Sequence, residues 1–326
     1  MIAFAARRLL NALAIVLFAT IVSFVILRLA PGDPLLAAAD GSATNAATRA
    51  MLRARYGLDQ PLLVQAAAYF TRVARGDLGT SIVEQRPVAT VLADALPTTL
   101  VLSGAGLCLA ILLGIAIGTL QGWRPHDRLG ALFGNALTAL YTVPELVLAI
   151  VLLALFGVQL GLFPVGGMSD PLVELTGGIV ARARDRVWHL TLPGVALALA
   201  WGAAIARQQR AAMREISDEQ FVRTAYAKGV PGRTVWLHHA MRPALPTTIA
   251  LIGTMLPALV GGTVVIEALF SWPGMGSLIV RAVGLRDYPV VAGAVVLVAT
   301  AVAAGTLCTD LLVHLADPRS RDSTTT

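Results

Sequence analysis

TTLVLSGAGLCLAILLGIAIGTLQG, residues 98–122, carries no charge from end to end. A hydrocarbon core about 30 Å thick is crossed by roughly 20 apolar residues in a helix. Inside lipid the backbone must satisfy its own hydrogen bonds, and a helix does so within one segment. The stretch therefore reads as a transmembrane helix, and the composition of the whole chain agrees. Hydrophobic residues make up 56%, charged residues 13%, and the mean hydropathy is +0.74. A soluble domain carries about 25% charged residues.

Working outward, further windows have the same character. Leu9 to Leu27 is uncharged. Leu129 to Leu162 carries only Glu145 and has room for one span plus a re-entrant or interfacial piece. Leu190 to Ala206 is uncharged and the shortest. Pro243 to Ile266 lies between Arg242 and Glu267, and Tyr288 to Thr309 between Asp287 and Asp310. The expectation is an all-α integral membrane protein with six spans. Arg7 and Arg8 resemble the start of a signal peptide. However, the apolar run behind them exceeds the usual length of about 7–15 residues. It also ends in RLAPGDP rather than at a small-x-small cleavage site, so it reads as a retained anchor.

Six spans place both termini on one side of the membrane, and the basic residues choose the side. Residues 1–8, 123–128, 207–242 and the tail from 313 hold thirteen of the 25 Lys and Arg. The two shorter loops opposite hold five: Arg182, Arg184, Arg186, Arg281 and Arg286. The segment from Arg28 to Pro97 is too long for charge bias to govern. Both termini are thus expected in the cytoplasm. The net charge of +6 follows from this inner-face bias, where anionic lipid favours cations. There is no zinc-finger spacing or RNP-like pattern to suggest nucleic acid.

One cytoplasmic loop contains REISDEQFVRTAYAKGVPGRTVWLHHAMRPALP, residues 214–246, a polar and helix-patterned island. Ser217 and Gln220 have the spacing of a capping box. Gly229 stands where a helix would stop in a left-handed cap, and Pro231 prevents continuation. A short helix, a glycine break and a second helix are expected. Phe221, Val222, Ala225 and Tyr226 supply an apolar face at i, i+4 spacing. Glu215, Asp218 and Glu219 near the start suit the helix dipole. An amphipathic helix lying on the membrane would show the same periodicity.

Several chemistries are excluded. A phosphate-binding P-loop needs Gly-Lys-Ser/Thr, yet the single lysine, Lys228, follows Ala227. No HExxH or GxSxG occurs. Cys108 and Cys308 fall within spans and read as small packed hydrophobes, with no metal-ligand spacing. Ionisable residues in spans are few: Glu145, Glu267 and Asp310, with His314 one turn further on. Glu145 follows Pro144, whose missing donor frees a carbonyl and suits a kink lining a cavity. Glu267 and Asp310 lie near span ends and favour structural pairing. An ion-coupled secondary transporter built on Glu145 and Asp310 is the rival reading from another class. Phe270 and Trp272 read as an interfacial aromatic anchor.

The island resembles the cytoplasmic signature of binding-protein-dependent ABC importer permeases, whose general form is E-A-A-x-x-x-G followed by I-x-L-P. Ala225 and Gly229 match, with Arg223 and Thr224 in place of Glu and Ala. RTAYAKG, residues 223–229, is similar to the variant of the dipeptide, oligopeptide and nickel branch. HHAMRPALP, residues 238–246, is similar to its continuation, with Pro243 replacing the usual Asn. APGDP (30–34), YGLDQPL (56–62), RGDLGTS (75–81) and RPV…LPTTL (86–100) resemble the permease with the larger first extracytoplasmic loop. FPVGG (163–167), EALFSWPGMGSL (267–278), RDYPVV (286–291) and LADPRSR (315–321) follow in family order.

The resemblance implies a type I importer fold. Residues 1–95 would form a first span plus an extracytoplasmic segment, 96–316 a transmembrane core with a coupling loop at 207–243, and 317–326 a cytoplasmic tail. It implies a multi-pass permease in the cytoplasmic (inner) membrane of a prokaryote, carrying dipeptides or oligopeptides, or alternatively nickel or another small solute. Its partners would be a second permease, two ATPase subunits and an extracytoplasmic binding protein. ATP and magnesium would be used by the ATPases, with no cofactor on this chain and no catalytic residue. Glu215, Asp218, Phe221, Val222, Arg223, Ala225, Tyr226, Lys228 and Gly229 would dock the ATPase, Arg223 and Lys228 toward acidic groups. Glu145, Glu267 and Phe270 are candidate pathway or gate residues. The segment from Ala30 to Ala95 is expected to hold a small helical element, either touching the binding protein and entrance or serving as a spacer.

Overall fold

The computed structural model describes residues 2–29, 59–123, 132, 136, 139–261 and 263–316. Their regular elements are helices: α1 (Ile2–Leu29), α2 (Leu62–Ala74), α3 (Val88–Trp123) and α4 (Glu145–Leu152). Then come α5 (Pro171–Thr176), α6 (Ile179–Ser217), α7 (Gln220–Ala227), α8 (Met241–Met255) and α9 (Val264–Leu269). α10 (Met275–Gly284) and α11 (Tyr288–Ala316) follow, and shorter turns of helix occupy Gly232–Thr234 and Ala258–Gly261. Wider π-helical turns extend α4 over Leu153–Gln159 and lead into α8 over Val235–Ala240.

Four of these helices are long and apolar enough to cross a membrane: α1, α3, α6 and α11. Gly232–Met255 and Ala258–Leu269 form a fifth crossing if taken as one span bent by 41°. The expected third span appears as the shorter apolar helix Glu145–Gln159. Much of its first half, 129–138, lies outside the described residues, so the count of six is not reached among them. The window that looked shortest in the sequence sits within the longest helix. α6 runs for 39 residues, about 58 Å at the helical rise, because polar residues on both flanks continue the helix beyond the lipid core. APGDP, the tail 317–326 and the side chain of Asp310 lie outside the described residues.

The chain divides into two compact units, Met1–Thr99 with Pro273–Leu307, and Leu100–Trp272 with Cys308–Thr326. In the first, Val88, Val91 and Leu92 pack on Met275, Leu278, Ala282, Val290 and Ala294. Two of the sequence motifs meet here. Asp287, 3% exposed, accepts hydrogen bonds from the Ser81 hydroxyl, from Ile82 N at 3.1 Å and from Val83 N at 3.2 Å. A hydroxyl and two amides thus supply donors to both oxygens of this buried carboxyl group. Helix α2 sets Tyr69 against Phe24 of α1, ring centroids 5.5 Å apart. Leu62, Leu63 and Val64 on α2 remain exposed.

In the second unit α6 is the central element. A small residue recurs every fourth position along α3 at Gly106, Ala110, Gly114, Gly118 and Gly122. This row meets Leu197, Gly202, Ile205, Gln209 and Met213 of α6. A Cβ at Gly118 would stand 2.4 Å from the carbonyl oxygen of Ala206, so only glycine permits that approach. Close backbone contact through small residues is how helices associate in lipid, where the hydrophobic effect between them is absent. A buried polar chain ties in α8: the Thr248 hydroxyl donates to Gln209 Oε1 at 2.7 Å, and Gln209 Nε2 donates to Thr119 at 3.1 Å.

Phe270 and Trp272 are each 1% exposed, packed with Leu102, Ala149, Leu192 and Ile266. They are core residues here and not an interfacial anchor, because the turn after α9 folds them inward. Gly167 N donates to the Phe270 carbonyl at 2.8 Å, joining FPVGG to EALFSW. Cys108 also differs from expectation, lying exposed on the surface of α3.

Candidate docking loop

The 214–246 island folds as helix, glycine break and helix. α6 ends at Ser217, Asp218 and Glu219 make the turn, and α7 occupies Gln220–Ala227. Its C-terminus closes by both bonds of a Schellman motif. Val230 N donates to the Ala225 carbonyl at 3.2 Å, and Gly229 N to the Tyr226 carbonyl at 2.9 Å. Gly229 has φ +76°, the left-handed conformation that this motif requires. Val230 packs on Val222, Ala225 and Val235, which is the apolar contact that accompanies such a cap.

The N-terminus is built differently from the capping box expected of Ser217 and Gln220. The N-cap is Glu219, with no side-chain cap, and Gln220 is already helical. Ser217 is still in α6, and its hydroxyl donates back to the Arg214 carbonyl at 2.8 Å. The intervening turn is too short to release it. For the same reason Glu215 belongs to the last turn of α6, at its carbonyl end. Only Asp218 and Glu219 stand at the amino end of α7, where the dipole favours acids.

The apolar face splits in two. Val222 is 2% and Ala225 6% exposed, both turned into a cluster with Val235, Ile216 and Trp123. Phe221 and Tyr226 are 45% and 47% exposed. Arg223, Thr224, Lys228 and Gly229 are exposed beside them. Ala225 therefore gives close approach to its own chain. A Cβ at Gly229 would meet nothing within 4 Å, so that glycine serves the turn and not tight packing.

Trp123, the last residue of α3, was legible in the sequence only as the edge of a loop. Its ring stacks on Tyr226, centroids 6.2 Å apart at 25°, and lies 6.5 Å from the ring of Trp236. It also contacts the neighbouring cluster of Ala212, Met213, Ala240 and Ala244. The one available signal was an aromatic at the end of a span facing the island. Pro243 falls in the first turn of α8, just after the π turn that ends at Ala240. A proline offers no donor to the carbonyl four residues back and its ring crowds that carbonyl. A wider turn immediately before it relieves the crowding.

The remaining candidates lie apart from the loop. Glu145 is in the first turn of α4 behind Pro144, half-buried. Glu267 is fully buried, accepting a hydrogen bond from the Thr263 hydroxyl at 2.8 Å. Neither Glu267 nor Phe270 presents an accessible surface in this conformation.

A helical chain with several apolar helices long enough to cross a membrane, no strand among its described residues and a short helix on a folded polar loop is the class defined so far. The chain belongs to the family of binding-protein-dependent transport system inner membrane components. Residues 110–322 match that family and residues 1–103 match its N-terminal region. The chain is 36% identical over 322 residues to the oligopeptide transport system permease protein AppB of Bacillus subtilis, covering 98% of this chain and 99% of the relative. It is 34% identical over 331 residues to the dipeptide transport system permease protein DppB of Alkalihalophilus pseudofirmus, at 98% and 99% coverage. It is 34% identical over 324 residues to the glutathione transport system permease protein GsiC of Salmonella paratyphi A, with the same coverage. A chain from an inward-facing structure of the MetNI methionine ABC transporter shares the fold, with a TM-score of 0.52 at 15% identity. That match covers 70% of this chain and 97% of the other.

Proposed function

We propose that this chain is one permease subunit of an ATP-driven importer of peptides, with α7 as the element that docks its motor. A second, similar permease would complete the pathway, two cytoplasmic ATPase subunits would bind below, and an extracytoplasmic binding protein would deliver substrate. The relatives named for oligopeptides, dipeptides and glutathione support the peptide class. The observation that carries the docking role is the division of α7. Val222 and Ala225 hold the helix to its own chain, while Phe221, Arg223, Tyr226 and Lys228 stay exposed around the rest of its circumference. Exposed aromatics and cations on one short helix suit a groove with an acidic rim. The chain supplies no P-loop, so ATP and magnesium belong to the partners. Its own work is to exchange inward and outward states, with nucleotide-driven closure elsewhere biasing the equilibrium.

Phe221→Asp tests this directly, since an exposed side chain is changed without disturbing the core. The ATPase recovered with the purified subunit is expected to fall on the order of tenfold, and uptake with it. Unchanged recovery and uptake would refute docking through α7. Uptake that collapses with an uncoupler while ATP is maintained would instead favour the ion-coupled reading.

A further inference from the structure

α7 is tethered at its amino end by only two residues, Asp218 and Glu219. Val222 and Ala225 pack it on Ile216 and Val235, and its carboxyl end carries a further contact. Tyr226, one residue from the carboxyl end of α7, lies against Trp123, and Trp123 also approaches Trp236 at the start of the π turn. α6 and α8 are joined to α7 through the chain itself. α3 is not, since its end at residue 123 is far from α7 in sequence. Only side-chain contact can connect the two, and Trp123 supplies it while belonging to both clusters beneath the loop. Above this point α3 is locked to α6 by the small-residue row and by the Thr119–Gln209 hydrogen bond.

We propose that Trp123 is a positioning residue for transport: it braces α7 through Tyr226, so that force on α7 moves the α3–α6 pair as one body. The inference rests on the docking reading of α7. The brace is not needed to present Phe221, which lies near the amino end of α7. Losing it therefore separates motor binding from motor coupling.

The test uses the full importer reconstituted in vesicles, with the permease carrying Trp123→Ala, Trp123→Phe, Tyr226→Ala or Trp123→Ala with Tyr226→Ala. Trp123→Ala is expected to retain both ATPases and basal ATP hydrolysis while substrate transported per ATP falls about tenfold. Trp123→Phe, which keeps a ring to stack, is expected to recover most of that loss. The double variant is expected to be no worse than the more severe single one, as residues acting in one path are not additive. Wild-type transport per ATP in Trp123→Ala overturns the proposal. So does loss of the ATPases from Trp123→Ala and Trp123→Phe alike, which would make the ring part of the docking surface. Should Trp123→Ala not insert, Trp123→Leu, which keeps apolar volume without a ring to stack, takes its place, and wild-type transport per ATP in that variant overturns the proposal. If the wild-type subunit binds no ATPase at all, the docking reading fails first, and the two failures are thereby distinct.

Discussion

Gly229 holds a φ of +76° with both Schellman bonds made and open space where a Cβ would go. A side chain there costs backbone strain and nothing else, on the order of 1–2 kcal/mol for alanine and less for asparagine. Gly229→Ala is expected to fray the carboxyl end of α7 and weaken ATPase recovery several-fold, and Gly229→Asn to lose less. Equal loss in both would show that side-chain volume, not backbone strain, decides. Ala225 is the opposite case. Its Cβ already touches a packed cluster, so Ala225→Glu buries a carboxylate and disrupts the loop itself rather than the partner's surface. The residue pattern exposed the glycine stop, because a left-handed cap has a strong local signature. It did not separate Ala225 from Phe221, since i, i+4 spacing gives a stripe without saying which half the rest of the chain covers. Ser217 misled for a related reason: a capping sequence competes with whatever helix precedes it, and α6 ran on through it.

Between helices, the row Gly106, Ala110, Gly114, Gly118 and Gly122 sets how near α3 and α6 lie. Hydropathy is blind to it, so the stretch that announced a membrane helix said nothing of its neighbour. Gln209 was hidden in the same way, counted with a loop that the structure shows to be helix through Ser217. Gly118→Ala places a methyl against a backbone carbonyl that cannot step aside. It is expected to destabilise by about 1–3 kcal/mol, seen as a lower unfolding midpoint of the purified subunit in detergent. Gly104 on the same helix has nothing within 4 Å of its Cβ position. Gly104→Ala should be neutral or stabilise by up to about 1 kcal/mol. Matching midpoints for the two variants would contradict the close approach.

Across the whole molecule, two sets of loops are fixed by contact rather than by charge. Trp123 on Tyr226 puts the end of α3 on the same side as α7. Ser81 and the following amides on Asp287 put the RGDLGTS segment beside the turn before α11. The distribution of Lys and Arg assigns the side: residues 207–242 hold seven of them, so the α7 loop should be inside. A membrane-impermeant maleimide provides the check, with Cys108 and Cys308 replaced by serine to remove background. In intact cells Glu84→Cys is expected to label, whereas Lys228→Cys should label only after the membrane is opened. Labelling of Lys228→Cys from outside would invert the topology and place α7 where no cytoplasmic motor can reach it.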